Sequence, residues 1–147
     1  MYSIKQIPSQ DTYPVRLPVL RPGKPIESCI FDGDDLPTTA HFGIFDENNI
    51  IGCISIFKYP TAFFDSQQQF QIRGMAVLQE YQKKGLGERL MQAAEEYIME
   101  SNGELIWFNA REIVVGFYKK LGYAIMGNPF PISDIGLHYI MYKDLRP

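Results

Sequence analysis

Cysteine is scarce in this chain, with only Cys29 and Cys53 among 147 residues. Two thiols cannot build a disulfide scaffold, and they show no metal-ligand spacing, so no metal is expected. A cationic excess is also missing: 14 Lys and Arg face 17 Asp and Glu, for a net charge of -3. Nucleic-acid contact runs on clustered Lys and Arg, so no nucleic-acid partner is expected. Long apolar runs are absent as well. The longest, residues 50–57, is interrupted by Gly52, Cys53 and Ser55, far short of the ~20 residues of a membrane span. The opening Met1-Tyr2-Ser3-Ile4-Lys5-Gln6 lacks the apolar core of a signal peptide. A cytoplasmic protein with no membrane contact is the expectation. What the chain does have is apolar content, 46% against 21% charged residues, which predicts a packed core. The length fits a single domain over residues 1–147.

No repeat or polar linker divides the sequence. Residues 2–7 read as a first strand. Residues 12–25 carry four prolines, but Val15, Leu17, Val19 and Leu20 interleave with them, as in a short helix ending before Pro22-Gly23. Residues 41–45 and 50–58 are β-rich runs around an Asp46-Glu47-Asn48-Asn49 turn. Residues 70–77 form a third run. Strict alternation puts Phe70, Ile72, Gly74 and Ala76 on one face, and Gln71, Arg73, Met75 and Val77 on the other. The small, apolar face predicts a central strand. Leu86, Leu90, Ala93 or Ala94, Tyr97 and Ile98 then recur at helical spacing, and Asn102-Gly103 stops that helix. A short strand over residues 105–108 follows. A second helix carries Ile113, Val114, Phe117 and Leu121 and ends at Gly122. Residues 123–126 and 137–142 close the chain as strands around a loop with Pro129 and Pro131. The predicted class is α+β, a mixed and mostly antiparallel sheet flanked by helices.

The segment Gln82-Lys83-Lys84-Gly85-Leu86-Gly87 sits between a strand and the long helix. The first N–H groups of a helix lack intrahelical partners and carry partial positive charge. Two glycines clear the approach to those donors, and Lys83 and Lys84 add charge, which suits a phosphate or diphosphate. A glycine-softened helix start with solvated lysines is the alternative. Two more specific motifs fail. A dinucleotide fingerprint needs a glycine where Leu90 stands, and a P-loop needs a Gly-Lys-Ser/Thr that the chain lacks.

Gln82-x-x-Gly85-x-Gly87, preceded by Arg73-Gly74-Met75-Ala76-Val77, resembles the acyl-CoA-binding motif of the GNAT superfamily of acetyltransferases. Trp107-Phe108-Asn109-Ala110-Arg111 and Phe117-Tyr118-Lys119-Lys120-Leu121-Gly122-Tyr123 resemble that family's next strand and helix. The match is close over residues 70–123, and the element order fits throughout. Arg21-Pro22-Gly23, Cys29, Phe31-x-Gly33-Asp34 and Ile135-Gly136-x-His138 resemble small bacterial members of undefined substrate.

The resemblance implies an acetyl-CoA-dependent N-acetyltransferase. The strand segment Met75, Ala76 and Val77 would bind the cofactor, with the backbones of Met75 and Val77 pairing with the pantetheine amides. Backbone donors of Lys83, Lys84, Gly85, Leu86, Gly87 and Glu88 would hold the diphosphate. The Glu88 side chain would merely suit the helix N-terminus. Asn109 would bond the cofactor arm, and Tyr118 would stand beside the thioester sulfur as the acid. On the residues alone, Tyr118 also reads as a half-buried aromatic beside Phe117.

The base is less clear, because the central strand offers Gln71, Arg73 and Met75 where many members use a glutamate. Glu80 is expected to face solvent. His138, with an ordinary pKa of ~6.5, is the titratable candidate, or else a histidine bonded for structure. His41 reads as a packed or solvent-facing residue. Arg73 is the candidate substrate residue: it could attract a carboxylate on the acceptor, or pair internally with Asp34 or Glu112. Arg21 carries the same ambiguity, with a helix-end role favoured. Cys29 reads as a buried thiol. Tyr59, Phe63 and Phe64 could line an acceptor cleft or anchor a loop. Direct transfer to a primary amine of a small molecule is the expected activity. A protein N-acetyltransferase and an acyl-CoA-binding regulatory module are the alternatives. Residues 128–136 would open or close the acceptor groove, and paired β-edges are compatible with a homodimer.

Overall fold

β-Branched and aromatic side chains pack well on a pleated surface, and the runs rich in them become strands. These are β1 (Tyr2–Ile7), β2 (Ala40–Asp46), β3 (Asn49–Lys58), β4 (Gln69–Val77), β5 (Leu105–Arg111), β6 (Ala124–Ile132) and β7 (Gly136–Asp144). The computed structural model describes residues 1–133 and 135–147. The strands form one seven-stranded sheet in the order β1-β2-β3-β4-β5-β7-β6. All neighbours are antiparallel except β4 and β5, which run parallel. The mixed, mostly antiparallel sheet is as expected.

Helices cover both faces: α1 (Tyr13–Leu20), α2 (Leu86–Glu100) and the short α3 (Val115–Lys120). The helical period of α2 buries Leu86, Leu90, Ala94 and Ile98, together with Met91. They meet Ile54, Ile56, Phe70, Ile72, Ile106 and Phe108 in the main core. Asn102 adopts a left-handed conformation (φ 61°) and ends the helix. Gly103 N–H then bonds back to Ile98 O at 2.8 Å. Across the sheet, Val15 of α1 packs on Cys53 and Ala76.

Strict alternation fails in β4. Cys53 pairs with Ala76 and Ser55 with Arg73, so two steps on β3 oppose three on β4. That is a β-bulge, seated at Gly74 with φ 65°. A one-residue insertion swaps the faces beyond it. Ala76 therefore joins the α1 face, with Cys53 and Val15, while Val77 joins the core under α2. Glycine is required here: a Cβ would lie 2.9 Å from Phe31 Cε2.

Three other expectations need revision. The proline-containing stretch is not a loop but the body of β6, with a register shift between Met126 and Phe130. An edge strand tolerates the missing N–H of Pro129 and Pro131, because only one side needs partners. Most of the expected groove loop, residues 128–136, is thus strand; Asp134 within it lies outside the described residues. β5 runs on to Arg111, held by β7 rather than by β4. The second helix is shorter than expected, and Ile113 is 85% exposed in the one-turn 3-10 segment before it.

Between α1 and β2, residues 21–39 form an irregular cap over β3 and β4, tied down by a buried ion pair. Arg16 is fully buried. Its Nη1 donates to Asp34 Oδ2 at 2.7 Å and to Cys29 O at 2.7 Å. Its Nη2 donates to Asp34 Oδ1 at 3.0 Å and to Ser55 Oγ at 2.8 Å. His41 completes the group, with Nδ1 2.7 Å from Ser55 Oγ and Nε2 2.9 Å from Asp34 O. Removing one member of such a pair leaves the other charge buried and uncompensated. Asp34→Ala is therefore expected to lower unfolding free energy by about 3–5 kcal/mol, read by urea denaturation. A loss under about 1 kcal/mol would show that the pair does not hold the cap.

Candidate active site

The parallel ladder of β4 and β5 is short. Gln69, Gln71 and Phe70 pair with Leu105, Trp107 and Ile106, and pairing stops there. The paired end is pinned by side chains. Gln69 Nε2 donates to the carbonyls of Thr61, Phe64 and Ser66, and Trp107 Nε1 donates to Tyr59 O at 2.9 Å. Beyond it β4 bends at its bulge while β5 stays with β7. The gap is a cleft of about 620 Å³, lined by Gln71, Arg73, Met75, Asn109, Tyr118 and His138, among others.

The N-terminus of α2 follows Gln82, which lines the cleft, and its Gly87 lies against Met75, which lines it too. Its N-cap, Gly85, is left-handed (φ 78°), as is Lys83 (φ 65°), and no side chain caps the helix. Among the described residues, the N–H groups of Lys83 to Glu88 find no hydrogen-bond acceptor. A Cβ at Gly85 would meet no protein atom within 4 Å. Six free donors around a glycine with open space over it fit an anion held by backbone. Leu78 N–H bonds Ile51 O at 2.8 Å, so antiparallel alternation turns the polar groups of Val77 away from β3, toward the gap. The Val77 carbonyl already accepts from Gln82 Nε2 at 3.0 Å. Met75 lines the cleft beside Gly87. Ala76 does not belong with them. Its methyl packs on Val15 and Cys53, and its carbonyl faces Gly52 of β3, so it is removed from the cofactor-facing set.

Tyr118 projects from α3 against Phe108, with ring centroids 4.4 Å apart, and borders the cleft. Burial pushes its phenol up to about 12. Its hydroxyl has no protein partner among the described residues, yet it is not sealed in. His138, opposite Arg111 in the β5–β7 register, is buried but borders the same cleft. Its Nδ1 lies 3.0 Å from Gly136 O. Nδ1 must carry the hydrogen to donate there, so the assigned tautomer leaves Nε2 as an open acceptor. Asn109 is exposed on the cleft wall.

The remaining candidates sort by their contacts. Arg73 lines the cleft and pairs with neither Asp34 nor Glu112; Asp34 is taken by Arg16. Arg21 ends α1, bonding Leu20 O and Ser28 O, and also reaches the cleft. Cys29 is a buried thiol. Tyr59 stacks edge-on to Trp107, and Phe64 packs on Tyr142; neither they nor Phe63 line the cleft. Glu80 is exposed. Sequence reading passed over Arg16, whose only signal is a lone charge inside an otherwise apolar helix.

A sheet opened between two parallel strands, beside a bare helix N-terminus, leaves free the strand and loop backbone to which the resemblance assigned the pantetheine arm and the diphosphate. The chain belongs to the acetyltransferase (GNAT) family, whose sequence profile matches residues 3–123. It is 36% identical over 146 residues to an uncharacterized N-acetyltransferase of Bacillus subtilis, YitI, covering 99% of this chain and 98% of the relative. Its fold is similar to an aminoglycoside 6'-N-acetyltransferase complexed with coenzyme A (TM-score 0.78, 15% identity, 99% and 98% coverage). It is equally similar to Ard1 of Thermoplasma volcanium (TM-score 0.78, 22% identity, 99% of both chains). The protein is thus an acyltransferase that uses acetyl-CoA as donor.

Because burial raises the Tyr118 pKa, the folded protein resists ionising it while the unfolded chain does not. This group's contribution to stability is full below about pH 10 and is lost as pH rises toward 12. Alkaline ultraviolet titration of the wild type against Tyr118→Phe is expected to show no tyrosinate difference below about pH 11. A difference that develops near pH 10 would mean the phenol is solvated.

Proposed function

We propose that this protein acetylates a primary amine of a small molecule, by direct transfer within the cleft between β4 and β5. The observation that carries the reading is the run of N–H groups from Lys83 to Glu88 that have no partner among the described residues, directly after Gln82, which lines a cleft bordered by Tyr118 and His138. In this reading the loop donors and the two lysines hold the diphosphate, while Met75, Val77 and Asn109 align the pantetheine arm. Residues 1–147 act as one catalytic domain in the cytoplasm, where buried free thiols such as Cys29 and Cys53 persist.

Acetyl-CoA supplies a thioester carbonyl: the amine nitrogen bonds to its carbon, the C–S bond breaks, and CoA departs as thiolate. Only a neutral amine can attack. Neutralising a lysine-like amine at pH 7 costs about 4.6 kcal/mol. His138 Nε2 meets part of that cost by accepting the amine's proton. Tyr118 faces the other charge. A phenol near 12 does not give up its proton fully to a thiolate of pKa about 8.5. It donates a hydrogen bond to the developing negative sulfur. Two protons leave the nitrogen in all: the one lost before attack passes through His138 to solvent, and the one lost after attack neutralises the thiolate, which closes the balance. A cleft of about 620 Å³, lined by Ile113 and Ile132 among others, suits a small acceptor beside the cofactor arm.

A screen of amines that reads release of free thiol from acetyl-CoA identifies an acceptor. With that acceptor, Tyr118→Phe is expected to lower kcat by about 10- to 300-fold with acetyl-CoA affinity retained. An unchanged kcat would take Tyr118 out of the mechanism.

A further inference from the structure

Arginine in a protein interior usually meets a carboxylate or a carbonyl, because five N–H donors must be satisfied. Arg73 meets neither. Among the described residues its guanidinium makes no hydrogen bond and has no carboxylate within 4.0 Å. The nearest buried acid, Asp34, is fully engaged by both Nη atoms of Arg16 and by Phe31 N–H at 2.9 Å. Arg73 is instead braced by rings, 5.0 Å from the centroid of Phe31 and 5.3 Å from that of Phe57. Such contacts hold the cation without using its N–H donors.

Among the described residues, three arginines border the cleft, Arg21, Arg73 and Arg111, and no Asp or Glu does. Arg21 stands over the same Phe31 ring at 5.3 Å. A polycationic acceptor would be repelled from this wall. Burial also lowers the Arg73 pKa; Asp34 and Asp32 act against it, and Arg16 and Arg21 act with it. A cation already stripped of part of its water gains more from an anion than a solvated one does.

Arg73 is not placed to serve the diphosphate. It shares the α1 face with Ser55, its register partner, whereas α2 and its N-terminus pack on the opposite face through Leu86 and Leu90. An anion at Arg73 therefore enters from the acceptor side.

We infer that the amine acetylated here also carries a carboxylate, which the unpaired Arg73 receives against Phe31 and Phe57 with Arg21 nearby. This rests on reading the cleft as an acetyl-transfer site. The ligand class is an amino acid or a similar amino carboxylate. A planar guanidinium matches the two oxygens of a carboxylate.

Matched acceptor pairs test it, each a free amino acid and its carboxamide, with an aminophosphonate as a third arm. Thiol release is followed with wild type, Arg73→Met and Arg73→Lys. The wild type is expected to prefer the acid by about 10- to 100-fold in kcat/KM, the worth of a hydrogen-bonded charge. Arg73→Met collapses that ratio toward one, and Arg73→Lys restores part of it. A wild-type ratio near one, or a ratio that survives in Arg73→Met, overturns the inference. Preference for the phosphonate overturns the commitment to a carboxylate. Absence of thiol release from every pair, with acetyl-CoA bound, contradicts the transfer reading instead. Thermal shift of the CoA-bound protein by N-acetyl amino acids against their amides then decides the anion subsite separately. Stabilisation by the acids alone, lost in Arg73→Met, supports it; equal shifts refute it.

Discussion

The ladder between β4 and β5 ends at Gln71 and Trp107, and beyond it the facing strand edges do not pair with each other, the Val77 carbonyl alone being taken up by Gln82 Nε2 among the described residues. Inside a fold, backbone N–H and C=O groups must be paired. A seam opened in the middle of a sheet is therefore a demand for something else that carries amides or water. Elsewhere in the sheet each strand finds its neighbour, from β1 on β2 to β6 on β7. The open seam sets where a ligand lies, and the residues around it decide what that ligand does.

Two structures keep the seam open in one place only. At the closed end, the Gln69 amide spends its donors and acceptor on the loop over residues 61–66, and the Gln68 carbonyl accepts from Glu104 and Leu105 N–H across the seam. At the open end, the bulge at Gly74 turns β4 away, with Phe31 filling the space a side chain would need. Phe31 in turn belongs to the cap that Arg16 and Asp34 lock down. Stability and function meet in that ion pair. By capturing Asp34 it fastens the cap, and it also leaves Arg73 without an internal partner.

The sequence revealed the parts that depend on local pattern. Helix α2, its glycine-bearing start and its Asn102 stop follow from spacing and from residues that accept special dihedrals. The order of strands followed from apolar alternation. Local pattern could not reveal the bulge, because a period of two carries no mark of a single inserted residue; Ala76 and Val77 were assigned to the wrong faces for that reason. The prolines of β6 resembled a loop, since only the finished sheet shows that the strand is an edge. The choice between an internal partner and an external anion for Arg73 turned on Arg16 and Asp34, far apart in sequence and joined only by folding.

The central claim is that the free amides at the start of α2 grip a diphosphate. Following backbone amide resonances of isotope-labelled protein during a titration with CoA tests it most directly. The account predicts that Lys83 to Glu88 and Val77 move together and saturate along one binding curve. Binding that leaves those amides unmoved while others shift, or no binding by folded protein, would contradict it.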